Sequence, residues 1–312
     1  MTKKQIPLIL VTGFLGSGKT SLINAVLKNL DDKRIALLLN DFGSMVIDRD
    51  LIESDKPVVQ ISALNGGQIF CSCLSGSFVK QTIAMAALDI DMIIVETSGL
   101  AKPSTLVELT TIIEARSEHV IFYAGMLCVI DAVRYRMLST VVGNLNEQIV
   151  YSDMLIINKT DLVDANALVR LESELKRLVP AVPMIRTVHC DVPFDIFTSL
   201  RCDRSRFPKD VTMFEGWGTY GRPSSYTFLP KDNITLQNVQ TFAVEVSPSL
   251  LRLKGFLPMQ DGTWIKVDAV GSQVDVSNTE KTPQVEPGLV ALFNPSFDGK
   301  VSIETAWEKV VG

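Results

Sequence analysis

The stretch that most restricts the fold is Gly13-Phe-Leu-Gly-Ser-Gly-Lys19-Thr20, which fits GxxxxGK(S/T) and stands between an apolar run, Leu8 to Val11, and an amphipathic one, Ser21 to Leu30. That spacing belongs where a strand ends and a helix begins. Glycines let successive backbone N–H groups turn inward, and the helix N-terminus adds its own donors. Within Ser21 to Leu30, the residues Leu22, Ile23, Val26, Leu27 and Leu30 share one helical stripe. Strand, glycine loop and helix in succession point to an α/β domain.

The rest of the N-terminal part agrees. Short apolar runs alternate with amphipathic stretches from residue 5 to about 190, giving candidate strands at Leu8–Val11, Ile35–Leu39, Val58–Ile61, Met92–Val95, Met126–Ile130, Leu155–Ile157 and Pro183–Thr187. Several are apolar at every position, as suits strands of a parallel sheet covered on both faces. Between them, Ala165 to Leu178 carries Leu168, Leu171, Leu175 and Leu178 on one stripe, and Pro180 and Pro183 close it. Residues 1–205 are therefore read as one P-loop α/β domain with a mostly parallel sheet. The rhythm stops in a stretch rich in Arg, Gly, Pro and Ser, which places a linker at 206–225. Residues 226–312 read as a smaller α+β domain: Val239, Phe242, Ala243, Val246 and Leu250 keep helical spacing, Trp264 to Val276 reads as strands broken at Gly271, and Leu289 to Phe293 is a further apolar run.

Composition narrows the partners. The chain has 312 residues, 46% of them hydrophobic and 21% charged, and a net charge of -5. No overall positive field attracts nucleic acid or anionic lipid, so neither is an expected partner. Ile6 to Val11 is too short for a signal-peptide core, and no run reaches the roughly 18 apolar residues of a membrane span. Five scattered cysteines, Cys71, Cys73, Cys128, Cys190 and Cys202, do not suggest a secreted disulfide framework. A cytoplasmic protein is expected.

The motifs then assign chemistry. Gly13, Gly16, Ser17, Gly18 and Ser21 are read as the phosphate cradle, with Lys19 bridging the β- and γ-phosphates and the Thr20 hydroxyl on Mg²⁺. Asn158-Lys159-Thr160-Asp161 follows Leu155-Ile156-Ile157, so it lies at the carboxyl end of a strand, where open α/β sheets bind ligands. A carboxylate at Asp161 can accept two hydrogen bonds from the guanine ring N–H and exocyclic amino group. Adenine lacks that donor pair, so GTP is expected over ATP. Lys159 would cover the base with its stem, and Asn158 would brace the loop. Glu96, at the end of Met92 to Val95, is a candidate for the Mg²⁺ shell or for orienting water, and the Gly99 N–H for sensing the γ-phosphate. The competing account of this segment is a helix entry capped by Thr97 or Ser98. Asp41, in Asn40-Asp-Phe-Gly43, is a further metal-shell candidate, against a turn-forming Asn-Asp pair. Asp131, ending Val129-Ile130-Asp131, is either a site residue or a helix cap, with the cap favoured. Leu100 stands where a glutamine would follow Gly99, and no arginine finger is identifiable, so slow intrinsic hydrolysis is expected.

Taken together, these segments resemble the CobW-type GTPases, relatives of the hydrogenase and urease nickel-insertion GTPases. The likeness rests on Gly13 to Thr20, Asn40 to Gly43, Glu96-Thr-Ser-Gly-Leu-Ala-Lys-Pro103, Val129-Ile-Asp-Ala132, Gln148 through Ser152-Asp to Asn158-Lys-Thr-Asp-Leu162, and Leu251-Arg-Leu-Lys-Gly-Phe-Leu257 in the second domain. The resemblance implies a GTPase that loads or delivers a transition metal, Zn²⁺ or Co²⁺, to a client metalloprotein or corrinoid protein, with a homodimer allowed. It also implies a GCxCC thiolate motif near the switch. Here the matching stretch is Gly66-Gly-Gln-Ile-Phe-Cys71-Ser-Cys73-Leu74. One alignment sets Gln68, Phe70 and Cys71 on the three cysteines, another Cys71, Cys73 and Leu74, and either leaves a thiolate missing. Cys71 and Cys73 are the metal candidates, against buried thiols packed as small hydrophobes. His189-Cys190-Asp191 is a second ligand candidate, although its place after Thr187 better suits a loop beside the base.

Overall fold

The computed structural model describes residues 4–28, 33–40, 58–64, 72–99, 101–141, 143–208, 224–280, 282–283, 287–293 and 299–310. They fall into two compact units, whose described parts run up to residue 208 and from residue 224 onward.

The first unit runs β1 (Ile6–Thr12), α1 (Lys19–Lys28), β2 (Ile35–Asn40), β3 (Val58–Leu64), α2 (Ser72–Ala84), β4 (Met92–Glu96), α3 (Pro103–Arg116), β5 (Ile121–Asp131), α4 (Tyr135–Val141), α5 (Gly143–Val150), β6 (Met154–Asn158), α6 (Ala165–Leu178), β7 (Met184–Arg186) and α7 (Asp195–Ser199). Its strands form a seven-stranded sheet in the order β3-β2-β4-β1-β5-β6-β7, with every neighbouring pair parallel. The all-apolar runs have the cause inferred from them, since alternate residues of each strand enter different cores. Leu8, Leu10, Leu38, Ile93 and Val95 pack with Phe78 of α2 and with Leu106 and Ile113 of α3. Ile9, Val11, Leu37, Leu39 and Ile94 pack with Leu22, Ile23 and Val26 of α1 and with Phe197 of α7. Each fully buried Leu or Ile contributes about 1.5–3 kcal/mol of apolar burial.

Local rules account for the boundaries. Helix α3 opens with Pro103 at its first position, where a missing N–H costs nothing. No side chain at its N-cap, Lys102, caps it, so neither Thr97 nor Ser98 is the cap. Asp164 caps α6 by accepting from the Ala167 N–H at 2.8 Å. The register between β1 and β5 shifts between Leu8 and Ile9, passing from Tyr123 to Gly125. Gly125 takes φ 146°, and a Cβ there would stand 2.7 Å from Asp153 Oδ2. Only glycine fits that bulge.

The second unit contains β8 (Ser224–Phe228), α8 (Leu236–Val246), β9 (Arg252–Pro258), β10 (Trp264–Val270), β11 (Gln273–Thr279), β12 (Gly288–Phe293) and α9 (Lys300–Lys309). Its five strands pair antiparallel in the order β11-β10-β9-β12-β8. Phe242 and Val246 of α8, Trp307 of α9, and Leu253, Leu257, Val267 and Leu289 of the sheet share one core. Gly271, at φ 61°, supplies the left-handed residue of the β10–β11 hairpin. The fold is thus a P-loop α/β unit followed by a smaller α+β unit. Among the described residues, no helix is long and apolar enough to cross a membrane.

Candidate nucleotide site

A parallel sheet brings the carboxyl ends of all its strands to one edge. The register sets Val11 beside Glu96 and Asp131 beside Asn158. Strand β1 lies between β4 and β5: the chain leaves β1 towards β2 on one side, and the connection from β4 crosses to β5 on the other, so a crevice opens beyond the end of β1. Residues 13–18 occupy that crevice.

Three glycines there have positive φ: Gly13 at 135°, Gly16 at 76° and Gly18 at 114°. A Cβ on Gly13 would sit 2.3 Å from the Val129 carbonyl oxygen, and one on Gly18 would sit 2.5 Å from Asn158 Nδ2. The loop therefore tolerates no side chain at either position. Lys19 is buried, and its ammonium donates to the Gly13 carbonyl at 2.9 Å and the Phe14 carbonyl at 3.3 Å. Phosphate oxygens are the stronger acceptors for such a cation. Ser17 Oγ is buried and has no hydrogen-bond partner among the described residues. Ser21 is exposed on α1.

Thr20 and Glu96 meet across 76 residues of sequence. The Thr20 hydroxyl donates to Glu96 Oε1 at 3.1 Å and lies 3.4 Å from Oε2, and Glu96 itself is 4% exposed. A hydroxyl beside a buried carboxylate is an oxygen donor set that suits a hard cation such as Mg²⁺.

Asn158 ties three segments together. Its Nδ2 donates to the Ser17 carbonyl at 2.9 Å, and its Oδ1 accepts from the Cys190 N–H at 2.9 Å. Lys159 takes φ 63°, which turns the chain sharply after β6. Its ammonium is paired with Asp131 Oδ2 at 2.7 Å. The other oxygen, Oδ1, accepts from the Val133 and Arg134 N–H groups at 2.9 and 3.1 Å. Asp131 thus caps the turn after β5 rather than a helix, since α4 starts only at Tyr135, and it also anchors Lys159, which the sequence did not suggest. Asp161 sits exposed in a 3₁₀ turn over Thr160–Leu162. Thr160 holds that turn against β7 through the Thr187 carbonyl at 3.1 Å.

Gly99 approaches the phosphate loop so closely that a Cβ would stand 2.7 Å from the Leu15 nitrogen. Behind it lies Gln148, fully buried, whose Nε2 donates to the Gly99 carbonyl at 3.1 Å and the Ala101 carbonyl at 3.3 Å. Glu147 Oε1 accepts from the Ser104 N–H at 3.1 Å, satisfying an orphan donor of α3. Neither residue was given a role by the sequence reading. A signal existed: Leu145, Gln148, Ile149 and Ser152 follow i, i+3, i+4, i+7 spacing, which sets a glutamine on an apolar stripe.

Residues 7–186 match the nucleotide-binding domain of the CobW/HypB/UreG family. The chain belongs to the CobW/HypB/UreG family. The zinc chaperone CobW of Pseudomonas aeruginosa is 28% identical over 240 residues, covering 65% of this chain and 62% of that protein. The zinc-regulated GTPase metalloprotein activator 1 of Schizosaccharomyces pombe is 29% identical over 197 residues, covering 60% of this chain and 47% of that protein. The matched part thus spans about half to two thirds of these relatives' lengths. The solved Zn(II)-bound YjiA GTPase from Escherichia coli aligns at TM-score 0.49 with 18% identity, over 98% of this chain and 99% of that one.

For this member of the CobW/HypB/UreG family, Asp41 and Cys71 lie outside the described residues, as do Gln68 and Phe70 and the side chains of Cys73 and Leu74. Among the described residues no group of three or more His, Cys, Asp and Glu side chains could hold a metal ion, so His189, Cys190 and Asp191 are not a ligand cluster. Cys190 is instead fully buried, with its sulfur 3.3 Å from the Gly18 carbonyl oxygen. Burial pushes the Cys128, Cys190 and Cys202 thiols up to about 12. Thiols held that far towards the protonated form are poor ligands and poor nucleophiles.

Proposed function

We propose that this CobW/HypB/UreG-family chain binds GTP with Mg²⁺, hydrolyses it slowly, and uses the change of nucleotide state to deliver a transition metal, with zinc favoured, to a client protein in the cytoplasm. The observation that carries the reading is the meeting, at one sheet edge, of the glycine cradle with Lys19, the Thr20–Glu96 oxygen pair and the Asn158-braced segment ending at Asp161.

In this reading the 13–18 backbone and Lys19 hold the β- and γ-phosphates, with Lys19 exchanging its carbonyl acceptors for phosphate oxygens. Thr20 and Glu96 would hold Mg²⁺, with Asp41 as a further candidate, and the ion supplies charge neutralisation on the phosphate oxygens. Water forms a bond to the γ-phosphorus while the bond to the β-bridging oxygen breaks, giving GDP and phosphate. Gly99 senses the γ-phosphate, and its loss releases the 97–104 loop. Asp161 selects guanine, with Lys159 held over the base by Asp131. Leu100 leaves the attacking water without a glutamine, which keeps the intrinsic rate low.

Metal delivery is supported by what the Pseudomonas and yeast relatives are called and by the Cys71-Ser-Cys73 pair. Two thiolates leave a tetrahedral zinc site short of ligands. Water, Asp41 or a second copy of the chain would supply the rest. The shortened thiolate motif favours a second reading, a GTP-driven conformational chaperone for a corrinoid or other cofactor protein that binds no free metal.

Calorimetry tests the nucleotide assignment. GTP with Mg²⁺ should bind and ATP should not. Asp161→Asn should exchange guanine preference for xanthine, because the amide offers an N–H to the xanthine 2-carbonyl while still accepting from the ring N–H. Unchanged GTP affinity in Asp161→Asn would sink the base-reading role. Zinc titration of the GTP-bound chain, with Cys71→Ser and Cys73→Ser alongside, separates the two deliveries. Weaker binding in both variants supports the metal reading, and no binding in the unaltered chain leaves the second.

A further inference from the structure

Glu147 and Gln148 would touch neither nucleotide nor Mg²⁺, and nothing in the proposed chemistry uses them. Both are nevertheless buried, at 2% and 0% exposed, and both hold backbone between β4 and the first turn of α3: Gln148 at Gly99 and Ala101, Glu147 at Ser104. Gln148 is held on one side only. Its amino group serves the Gly99 and Ala101 carbonyls, while its Oε1 is buried without a hydrogen-bond partner among the described residues. An acceptor left in that state favours any rearrangement that brings it an N–H. Gly99 can supply one, because a glycine turns its peptide planes at low cost. A ligand that captures the Gly99 N–H reorients the next peptide, whose carbonyl Gln148 grips. The half-satisfied glutamine and the glycine beside it are thus the parts from which an element with two arrangements can be built.

The same helix leads to a second clamp. Just beyond α5, Arg206 donates to the Val150 carbonyl at 3.0 Å, the Ser152 carbonyl at 2.5 Å and Asp153 Oδ1 at 2.6 Å. Two residues earlier, Arg204 pairs with Glu114 of α3 at 3.0 Å and donates to the Thr110 hydroxyl at 3.0 Å. The 203–207 segment is thereby pinned to α3 and to the end of α5, the two helices that border the Gly99 loop.

We propose that the Glu147–Gln148 pair is a coupling element that sets the backbone conformation at Gly99, Ala101 and Ser104 and passes it along α5 and α3 to the 203–207 segment. The proposal rests on the GTP-switch reading above. Its residues act by positioning and contact no reacting atom. A contiguous set of contacts is not yet coupling, so the test must measure transmission between the two ends.

Amide hydrogen exchange on the full chain provides that measure, with GDP and with a non-hydrolysable GTP analogue, each with Mg²⁺. The reporting amides are those of Tyr151, Ser152 and Asp153, bonded to the Glu147, Ile149 and Met126 carbonyls, and those of Arg206 and Phe207. In the unaltered chain, exchange at these amides should differ about tenfold between the two nucleotides, within the span of ordinary allosteric couplings. Gln148→Leu and the near-isosteric Gln148→Glu should each abolish the difference and compress the ratio of analogue to GDP affinity by a similar factor. A merely structural glutamine would raise exchange equally in both nucleotide states. Arg206→Lys, away from the site, should leave hydrolysis unchanged and lose the response at 203–207, which keeps the test usable should the Gln148 variants fail to fold. Analogue binding without any nucleotide-dependent exchange at these amides overturns the proposal, as does a response that survives in Gln148→Glu. Failure of the unaltered chain to bind the analogue is a different result, which overturns the GTP reading and the coupling with it.

Discussion

At Gly18 an added methyl group would lie 2.5 Å from Asn158 Nδ2 and 2.9 Å from Cys190 Sγ, so one residue packs the phosphate loop, the 158–161 segment and the loop after β7 against each other. That packing keeps the Cys190 thiol dry. Cys190 and, on β5, Cys128 are both fully buried, and burial lifts each from an ordinary 9.0 to about 12. The folded chain therefore holds protons that the unfolded chain releases. The stabilisation is fully present below pH 9 and is lost as pH rises towards 12, by about 1.4 kcal/mol per pH unit for each thiol. Urea unfolding at pH 8, 9 and 10 should show this decline, and Cys128→Ala should reduce its slope by roughly one thiol's share. Equal slopes in the two proteins would mean that the Cys128 thiol ionises as freely when folded as when unfolded. At this scale the sequence was legible where spacing fixed a residue's place, as for Lys19 and Thr20 at the start of α1, Glu96 at the end of β4 and Asn158 at the end of β6. It was silent where a partner lies far along the chain, as for Lys159 with Asp131 and Cys190 with Gly18, since no local pattern encodes those meetings.

Elements were legible in proportion to how much apolar pattern their burial demands. Strands buried on both faces, such as β1 and β4, announce themselves. Strand β8, Ser-Ser-Tyr-Thr-Phe, lies at an edge with only Phe228 buried, and it left no comparable trace. Helix α9 was overlooked although Ile303, Ala306, Trp307 and Val310 keep helical spacing, because its exposed positions break the run into single residues. In β9 the sequence marked a glycine without giving its reason. A Cβ on Gly255 would lie 1.9 Å from the Gly288 carbonyl oxygen and 2.8 Å from the Leu289 Cα, both backbone atoms of β12. Neither strand can yield without breaking the ladder that pairs Gly288 with Phe256 and Leu289 with Gly255. Gly255→Ala should therefore destabilise the second unit by about 1–3 kcal/mol, the usual cost of overpacking. Chemical unfolding followed through Trp264 and Trp307 would register the loss, and a neutral outcome would show that β9 and β12 can separate without penalty.

Among the described residues, each hydrophobic cluster belongs to one unit alone. The clusters around Leu10 and around Ile9 draw their residues from the first unit alone, and the cluster around Phe242 and Trp307 draws from the second alone. Chains built this way unfold core by core when nothing larger binds the units together. Every residue proposed to grip nucleotide within the described structure belongs to the first unit, so a bound nucleotide should stabilise only that unit. At a free GTP concentration a hundredfold above its dissociation constant, the linkage is about 2.7 kcal/mol, which for a unit near 200 residues corresponds to a shift of about 5–10 °C. Scanning calorimetry should accordingly resolve two transitions, with GTP and Mg²⁺ raising one and leaving the other in place. Gly255→Ala should do the converse, lowering the transition that nucleotide does not move. A single transition displaced by both treatments would show that the two units melt as one.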